Sequence, residues 1–344
     1  MQLSNRIDKR ILKERMAQST EKRITISFYK YHQLENPTEF RNQFYIDLEK
    51  MGALGRIYIA KEGINAQMSI AEEHLEDFKT YINSIPFLMG IRLNFAVEDK
   101  SKAFFKLKII VKDKIVADGI DDPTFDSSNC GIHLKAKDFN EITQREDIIL
   151  VDMRNHYESE VGHFKHAILP DVDTFREQLP YVAEQLKDKK DHPIVMYCTG
   201  GIRCEKASAY MKHHGFDNVY QLEGGIIKYA RDAKEQGLEN QFIGKNFVFD
   251  ERLGERITED IIAHCHQCGE PADTHINCAN EGCHLLFIQC EKCAAAFDKC
   301  CSQECKDIIH LPLEEQISLR KGIDKGRQVF KKGRSAKLLF GKHI

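Results

Sequence analysis

Long hydrophobic runs are missing from this chain of 344 residues: no stretch is long and apolar enough to span a bilayer. The first ten residues, Met1 to Arg10, carry charges where a secretory leader needs an apolar core. A cytoplasmic location with no membrane partner is therefore the expectation. No segment repeats and no tract is biased in composition, which sets aside solenoids and low-complexity chains. A dominant charge sign is missing too: 50 Lys and Arg stand against 53 Asp and Glu, a net charge of −3. That near-balance conceals a strongly basic C-terminus. Cysteine, in contrast, is abundant. Twelve of them in a reducing compartment argue for thiol chemistry and metal ligation over a disulfide framework. Apolar residues at 42% and charged residues at 30% are ordinary for a globular chain, here long enough for two or three domains.

The most informative cysteine is Cys198. An apolar strand pattern, Pro193-Ile194-Val195-Met196-Tyr197, delivers it onto the turn Cys198-Thr199-Gly200-Gly201-Ile202-Arg203, and a helix is expected to start at Arg203. Backbone N–H groups of such a loop and the positive end of the helix would point at the sulfur and stabilise its anion. The thiolate is the reactive form of cysteine, so the geometry makes a nucleophile. Cysteine-dependent phosphatases place one residue more between Cys and Arg; the shorter loop suits one extra sulfur better than a phosphate. The competing reading is a buried cysteine ending a core strand, and the glycines and arginine weigh against it. Cys204, one residue past the arginine, is either a resolving thiol or a small apolar residue.

Ahead of this loop, residues 23–120 alternate strand and helix patterns. Ile24 to Tyr29 is strand-like, and Pro37 to Met51 is helix-like with Phe40, Phe44, Leu48 and Met51 on one face. Two strands bracket a tight Glu62-Gly63 turn; a helix, Ala71 to Ile85, and a strand, Ile91 to Val97, follow. That β-α-β-β-α-β order predicts a ferredoxin-like sandwich. From Phe105 to Lys114 the lysines fall on even positions, so period-two alternation puts Lys106, Lys108, Lys112 and Lys114 on one strand face. That face is either a phosphate-contact surface or a plain solvated one. Residues 1–22 are a basic extension and 121–130 a linker.

Nine cysteines crowd the block after residue 260: Cys265 with Cys268, Cys278 with Cys283, Cys290 with Cys293, and a fourth pair drawn from Cys300, Cys301 and Cys305, taken as Cys301 with Cys305. Close pairs let two thiolates grip one tetrahedral ion, so four pairs fit two structural zinc ions. An iron–sulfur cluster is the rival, and His264, His266, His275 or His284 would be able to replace a cysteine. Spacing leaves open whether the pairs join in sequence or cross over. From Arg320 onward nine Lys or Arg face the single acid Asp324. This tail, 320–344, including Arg327, Lys331, Lys332 and Arg334, would lie along RNA phosphates, or else be a solubilising extension.

The residues around the loop carry a family resemblance. Ile149 to Arg154 with Glu158 and Gly162 to Ala167 resembles the opening signature of the rhodanese domain; Leu222-Glu223-Gly224-Gly225 with Tyr229 is similar to its closing signature, Tyr standing where Trp is frequent. The resemblance implies a parallel α/β domain over 131–240. It makes Cys198 the nucleophile or persulfide carrier, with Arg203, Gly200 and Gly201 shaping the loop and Asp152, Arg154 and Glu158 supporting it. More of the chain, Ala60 to Asn65, Cys198 to Ser208, Ile309 to Gln316 and the cysteine block, resembles the bacterial tRNA uridine hydroxylase family. That resemblance implies conversion of the wobble uridine of tRNA to 5-hydroxyuridine with dioxygen as co-substrate and the anticodon stem-loop as partner. The chain shows no flavin fingerprint and no evident iron triad. The alternative is a rhodanese-type sulfurtransferase passing persulfide sulfur to a tRNA base or other acceptor. The expected architecture is a multidomain α/β and α+β chain. A ferredoxin-like sandwich comes first, then the rhodanese-like domain, then a Cys-rich module over 241–319 and the basic tail.

Overall fold

A computed structural model describes residues 7, 9–98, 103–322 and 332–338. After helix α1 (Lys9–Gln18), strand β1 (Arg23–Tyr31) leads into helix α2 (Pro37–Lys50). The Asn36 side chain caps that helix, accepting from the Glu39 N–H at 3.1 Å, and Pro37 occupies its first turn, where a missing N–H costs nothing. Strands β2 (Leu54–Ala60) and β3 (Gly63–Ala71), helix α3 (Leu75–Ser84) and strand β4 (Asn94–Phe95) complete the expected order. The strands lie as β4-β1-β3-β2, and β5 (Leu107–Val111) adds a parallel edge beside β2. One face is apolar: Ile26, Phe28, Ile57 and Met68 pack on Phe44, Leu48 and Phe78 of the two helices. Each such buried side chain is worth about 1.5–3 kcal/mol.

The other face is polar and aromatic, and it positions the site. Thr25, Ser27, Tyr29 and Tyr31 alternate along β1 opposite Ser69, Gln67, Asn65 and Gly63 of β3. Arg56 and Tyr58 continue that face on β2. The strand predicted over 105–114 is shorter, ending at Val111. Lys108 is in register with Arg56, so the two share the open face at the sheet edge. Lys112 lies past the strand. Lys114 turns inward to Asp118 at 2.6 Å.

The second sheet is parallel, in the order β6 (Ile132–Leu134), β10 (Val219–Leu222), β9 (Ile194–Tyr197), β7 (Ile149–Asp152). Every residue of β7 and β9 is buried, as expected for central strands covered on both faces. The covering helices are α4 (Ala136–Ile142), α5 (His156–Ser159), α6 (Phe175–Gln185), α7 (Ile202–His213) and α8 (Gly225–Gln236). Strands β8 (Gly162–Phe164), β11 (Phe242–Asn246) and β12 (Glu255–Arg256) make a small antiparallel sheet that ties the following segment to this domain. The Cys-rich part holds the hairpin β13 (His275–Asn277) and β14 (Leu286–Ile288), then α9 (Glu291–Ala296), α10 (Gln303–Ile309) and α11 (Leu313–Arg320). Among the described residues, no helix is long and apolar enough to cross a membrane.

Three ties join the first domain to helix α7. The Tyr29 hydroxyl donates to Glu205 Oε1 at 2.8 Å, and that of Tyr31 to the Ile202 carbonyl at 3.2 Å. Lys206 is nearly fully buried between Glu62 Oε2, at 2.6 Å, and Asp118. The Glu62-Gly63 turn therefore serves to pin the helix that carries the cysteine loop. Gly63, at φ 136, is required there: a Cβ would sit 2.0 Å from the Lys30 carbonyl.

Candidate active site

Cys198 directly follows β9 at the C-terminal edge of the parallel sheet, where the polar groups of such folds gather. Its loop is fixed from below by the start of α8. The Ile226 N–H donates to the Cys198 carbonyl at 3.0 Å and the Ile227 N–H to that of Thr199 at 3.2 Å. Gly225 makes this approach possible, because a Cβ on it would stand 2.4 Å from the Cys198 carbonyl oxygen. Gly201, at φ 99, turns the chain into α7 and donates its N–H to Cys198 Sγ at 3.2 Å. The Gly200 carbonyl accepts from Asn94 Nδ2 at 3.4 Å.

The sulfur is buried, which by itself would favour the neutral thiol. Burial is outweighed by a hydrogen bond from the Cys204 thiol, the charge of Arg203 and the N–H groups of Cys204 and Arg203, and the Cys198 pKa falls from 9.0 to about 6. Cys204 is thus a core residue that gives its S–H to the anion, and burial together with that bond holds its own pKa well above the ordinary value. Arg203 acts by charge only. Its fork is taken by Glu158, Nη1–Oε1 2.6 Å and Nη2–Oε2 2.8 Å, and by Thr199 Oγ1 at 3.3 Å. Glu158 also caps α5 by accepting from the Asn155 N–H at 3.1 Å. Below it, fully buried Arg154 braces the domain through Asp152, Nη2–Oδ2 2.6 Å, and the Gly162 carbonyl, 2.6 Å. Asp152, Arg154 and Glu158 therefore support the loop from within.

A low pKa has a direct readout. Alkylation of Cys198 by a small reagent such as iodoacetamide is expected to rise through a midpoint near pH 6 and level off above it. An ordinary thiol would keep gaining rate toward pH 9. A midpoint above pH 8 would contradict the stabilised thiolate.

A cavity of about 780 Å³ opens over the sulfur. The open face of the first sheet roofs it with Tyr29, Tyr58 and Arg56, and Phe249, Arg176 and Lys332 line it from other elements. Sequence reasoning missed Tyr29, Glu205 and Lys206; the period-two pattern of β1 was the available signal for Tyr29. Glu205 gathers Tyr29, His133 at 2.9 Å and Gln221 at 3.0 Å. Burial raises its pKa, but the bond from His133 and the others win and lower it to about 2. Cys130 lies beside this group.

The eight expected metal ligands form two quartets, Cys265, Cys268, Cys290, Cys293 and Cys278, Cys283, Cys301, Cys305, each with sulfurs within 4.8 Å of one another. The pairs cross over: the first joins the third and the second joins the fourth. Cys300 is buried nearby and belongs to neither quartet. Of the expected RNA-contact residues, Lys106 and Lys108 flank the open sheet face. Arg334 pairs with Asp171 and Asp173, and Arg327 and Lys331 lie outside the described residues.

An activated cysteine on a glycine turn at the edge of a four-stranded parallel sheet defines a rhodanese-like protein. The Rhodanese-like domain model matches residues 135–232, the UPF0176 acylphosphatase like domain model 23–115, and the Rhodanase C-terminal model 243–306. The tRNA uridine(34) hydroxylase of Photorhabdus laumondii is 58% identical, covering 96% of this chain and 95% of its own. Those of Pectobacterium carotovorum and Yersinia pestis are 58% and 57% identical, each covering 96% of this chain and 94% of the relative. The chain belongs to the tRNA uridine(34) hydroxylase family. A rhodanese-like domain protein of Staphylococcus aureus is 21% identical over 28% of this chain and 90% of its own, with a TM-score of 0.24.

Proposed function

We propose that this protein hydroxylates the wobble uridine of tRNA at C5, with dioxygen as co-substrate and Cys198 as the reacting thiolate. The observation that carries the chemistry is a sulfur with a pKa of about 6 at the floor of a cavity roomy enough to admit a nucleotide, with tyrosine and phenylalanine in its walls. Bases of unpaired loops are recognised by being splayed out and stacked on aromatic rings, and the roof offers Tyr29 and Tyr58 for this. Arg56, Lys106 and Lys108 would follow the phosphates of the anticodon stem-loop at the sheet edge.

Addition of the Cys198 thiolate to C6 of the uracil ring makes C5 electron-rich and able to meet an oxidant. The overall balance is uridine, dioxygen, two electrons and two protons giving 5-hydroxyuridine and water, so an external two-electron donor is needed. The cysteine quartets fit zinc. Four thiolates about 2.3 Å from a central ion in a tetrahedron stand about 3.8 Å apart. The sulfur–sulfur gaps are 3.7 Å for Cys268–Cys290, 3.6 Å for Cys283–Cys301 and 3.7 Å for Cys301–Cys305. A multi-iron cluster would spread its cysteines further. Zinc there would supply fold stability and take no part in the reaction.

The same loop would serve sulfur transfer, and one experiment separates the two. Nucleosides from tRNA of cells lacking the gene are compared by mass spectrometry with those of complemented cells. Loss of 5-hydroxyuridine is expected. Intact 5-hydroxyuridine with a missing thiolated nucleoside would replace hydroxylation by sulfur transfer.

A further inference from the structure

The described part of the basic tail, residues 332–338, folds back onto the molecule. Gly333 is buried so close to His266 that a Cβ on it would stand 2.1 Å from ring atom Cε1. His266 is fixed in turn by Glu160, Nε2 to Oε1 at 2.6 Å. Arg334 pairs with Asp171 and, at 3.6 Å, with Asp173, while Lys337 reaches Glu304 at 3.1 Å. Leu338 is fully buried among Cys278, Phe287 and Cys305. These contacts anchor the segment on both the rhodanese-like domain and the Cys-rich module.

Lys332 has no anchoring role of this kind. It lines the cavity with Cys198 and Arg203, its ammonium 5.1 Å from the Tyr157 ring centroid. No carboxylate among the described residues pairs with it, whereas the guanidiniums of Arg203 and Arg252 are taken by Glu158 and by Asp250 and Glu255. Burial lowers its pKa, against the attraction of Glu158. Its φ of 42° is a left-handed conformation that a residue with a Cβ adopts only when its surroundings impose it. Four anchors thus hold a cation without a carboxylate partner among the described residues in the cavity that Cys198 also lines.

We infer that Lys332 is a catalytic residue whose ammonium meets the O4 oxygen of the bound uracil ring and stabilises the charge arriving there when the thiolate adds to C6. This rests on Cys198 being the nucleophile. In that step the S–C6 bond forms, the C5–C6 π bond opens, and the negative charge passes from sulfur through the ring to O4. There it meets the ammonium, which holds it by a hydrogen bond or gives it a proton. No oxidant enters at this stage. A fixed donor aimed at developing charge typically contributes a factor of about 10²–10³ to turnover.

The test uses the full-length protein with Lys332→Met and, as an indirect variant, Gly333→Val, which drives the segment off His266 without altering the lysine. With either variant, 5-hydroxyuridine formation at saturating tRNA should fall at least about a hundredfold. Affinity for tRNA should stay within about threefold at low and at high salt. The rate and pH midpoint of Cys198 alkylation should not change, which a collapsed site would not permit. Activity within about tenfold of the unmodified protein would overturn the inference. So would an affinity loss that accounts for the activity loss, because Lys332 would then be a phosphate contact. Failure of the underlying reading looks different: an active Cys198→Ser protein removes the thiolate from the reaction whatever Lys332 does.

Discussion

Cys198→Ser removes 5-hydroxyuridine from the tRNA of complemented cells while leaving the protein folded. Serine nearly matches cysteine in shape, and the Gly201 N–H that reaches Sγ at 3.2 Å can donate to Oγ instead. The fold then loses only the difference between a buried hydroxyl and a buried thiol, about 1 kcal/mol, or a melting shift of a few degrees. The chemistry loses everything that depends on an anion, because neither Arg203 nor the loop amides can ionise a hydroxyl near neutrality. A fall of at least about 10³-fold is the expected size, as for removal of the nucleophile in enzymes that depend on one. Binding of tRNA should persist, since the roof and the basic edge are untouched. Normal 5-hydroxyuridine with Cys198→Ser would make the protein an RNA-binding scaffold. A collapse in melting temperature would make Cys198 a structural residue.

The second large effect is on the metal. Elemental analysis of the purified protein should give two zinc ions per chain, one for each quartet. Cys305→Ser should lose one of them and most of the activity, although Cys305 stands in the module and not in the cysteine loop. A structural zinc site can hold about 10–16 kcal/mol of folding free energy, comparable to the whole stability of a typical domain. Its loss would also free Leu338, which is buried against the second quartet, and with it the segment that carries Lys332. Cys300→Ser is the control, since Cys300 is buried in the same cluster but outside both quartets, and it should retain both ions. Iron in place of zinc would sink the structural assignment. Equal zinc content in the Cys305 and Cys300 variants would sink the assignment of Cys305, and not Cys300, as a ligand of the second quartet. Removing residues 320–344 altogether would likewise expose the Leu338 pocket, so any weakening of tRNA binding by that truncation includes a folding effect.

The chain itself declared what local rules govern. Four apolar positions three or four residues apart specify helix α2, and alternation specifies β1. A cysteine between a buried strand and two glycines specifies the loop, because each depends on neighbours within one or two turns. The four close cysteine pairs were legible for the same reason. Tertiary structure decided everything that joins distant segments. It crossed the cysteine pairs, gave Arg203 to Glu158 across 45 residues, turned Lys114 inward, and set Lys206 between Glu62 and Asp118. It also brought Lys332, which composition alone places on an outer basic tail, into the cavity of Cys198. Such pairings depend on which surfaces are buried together, and burial is a property of the folded chain that no short window of residues contains.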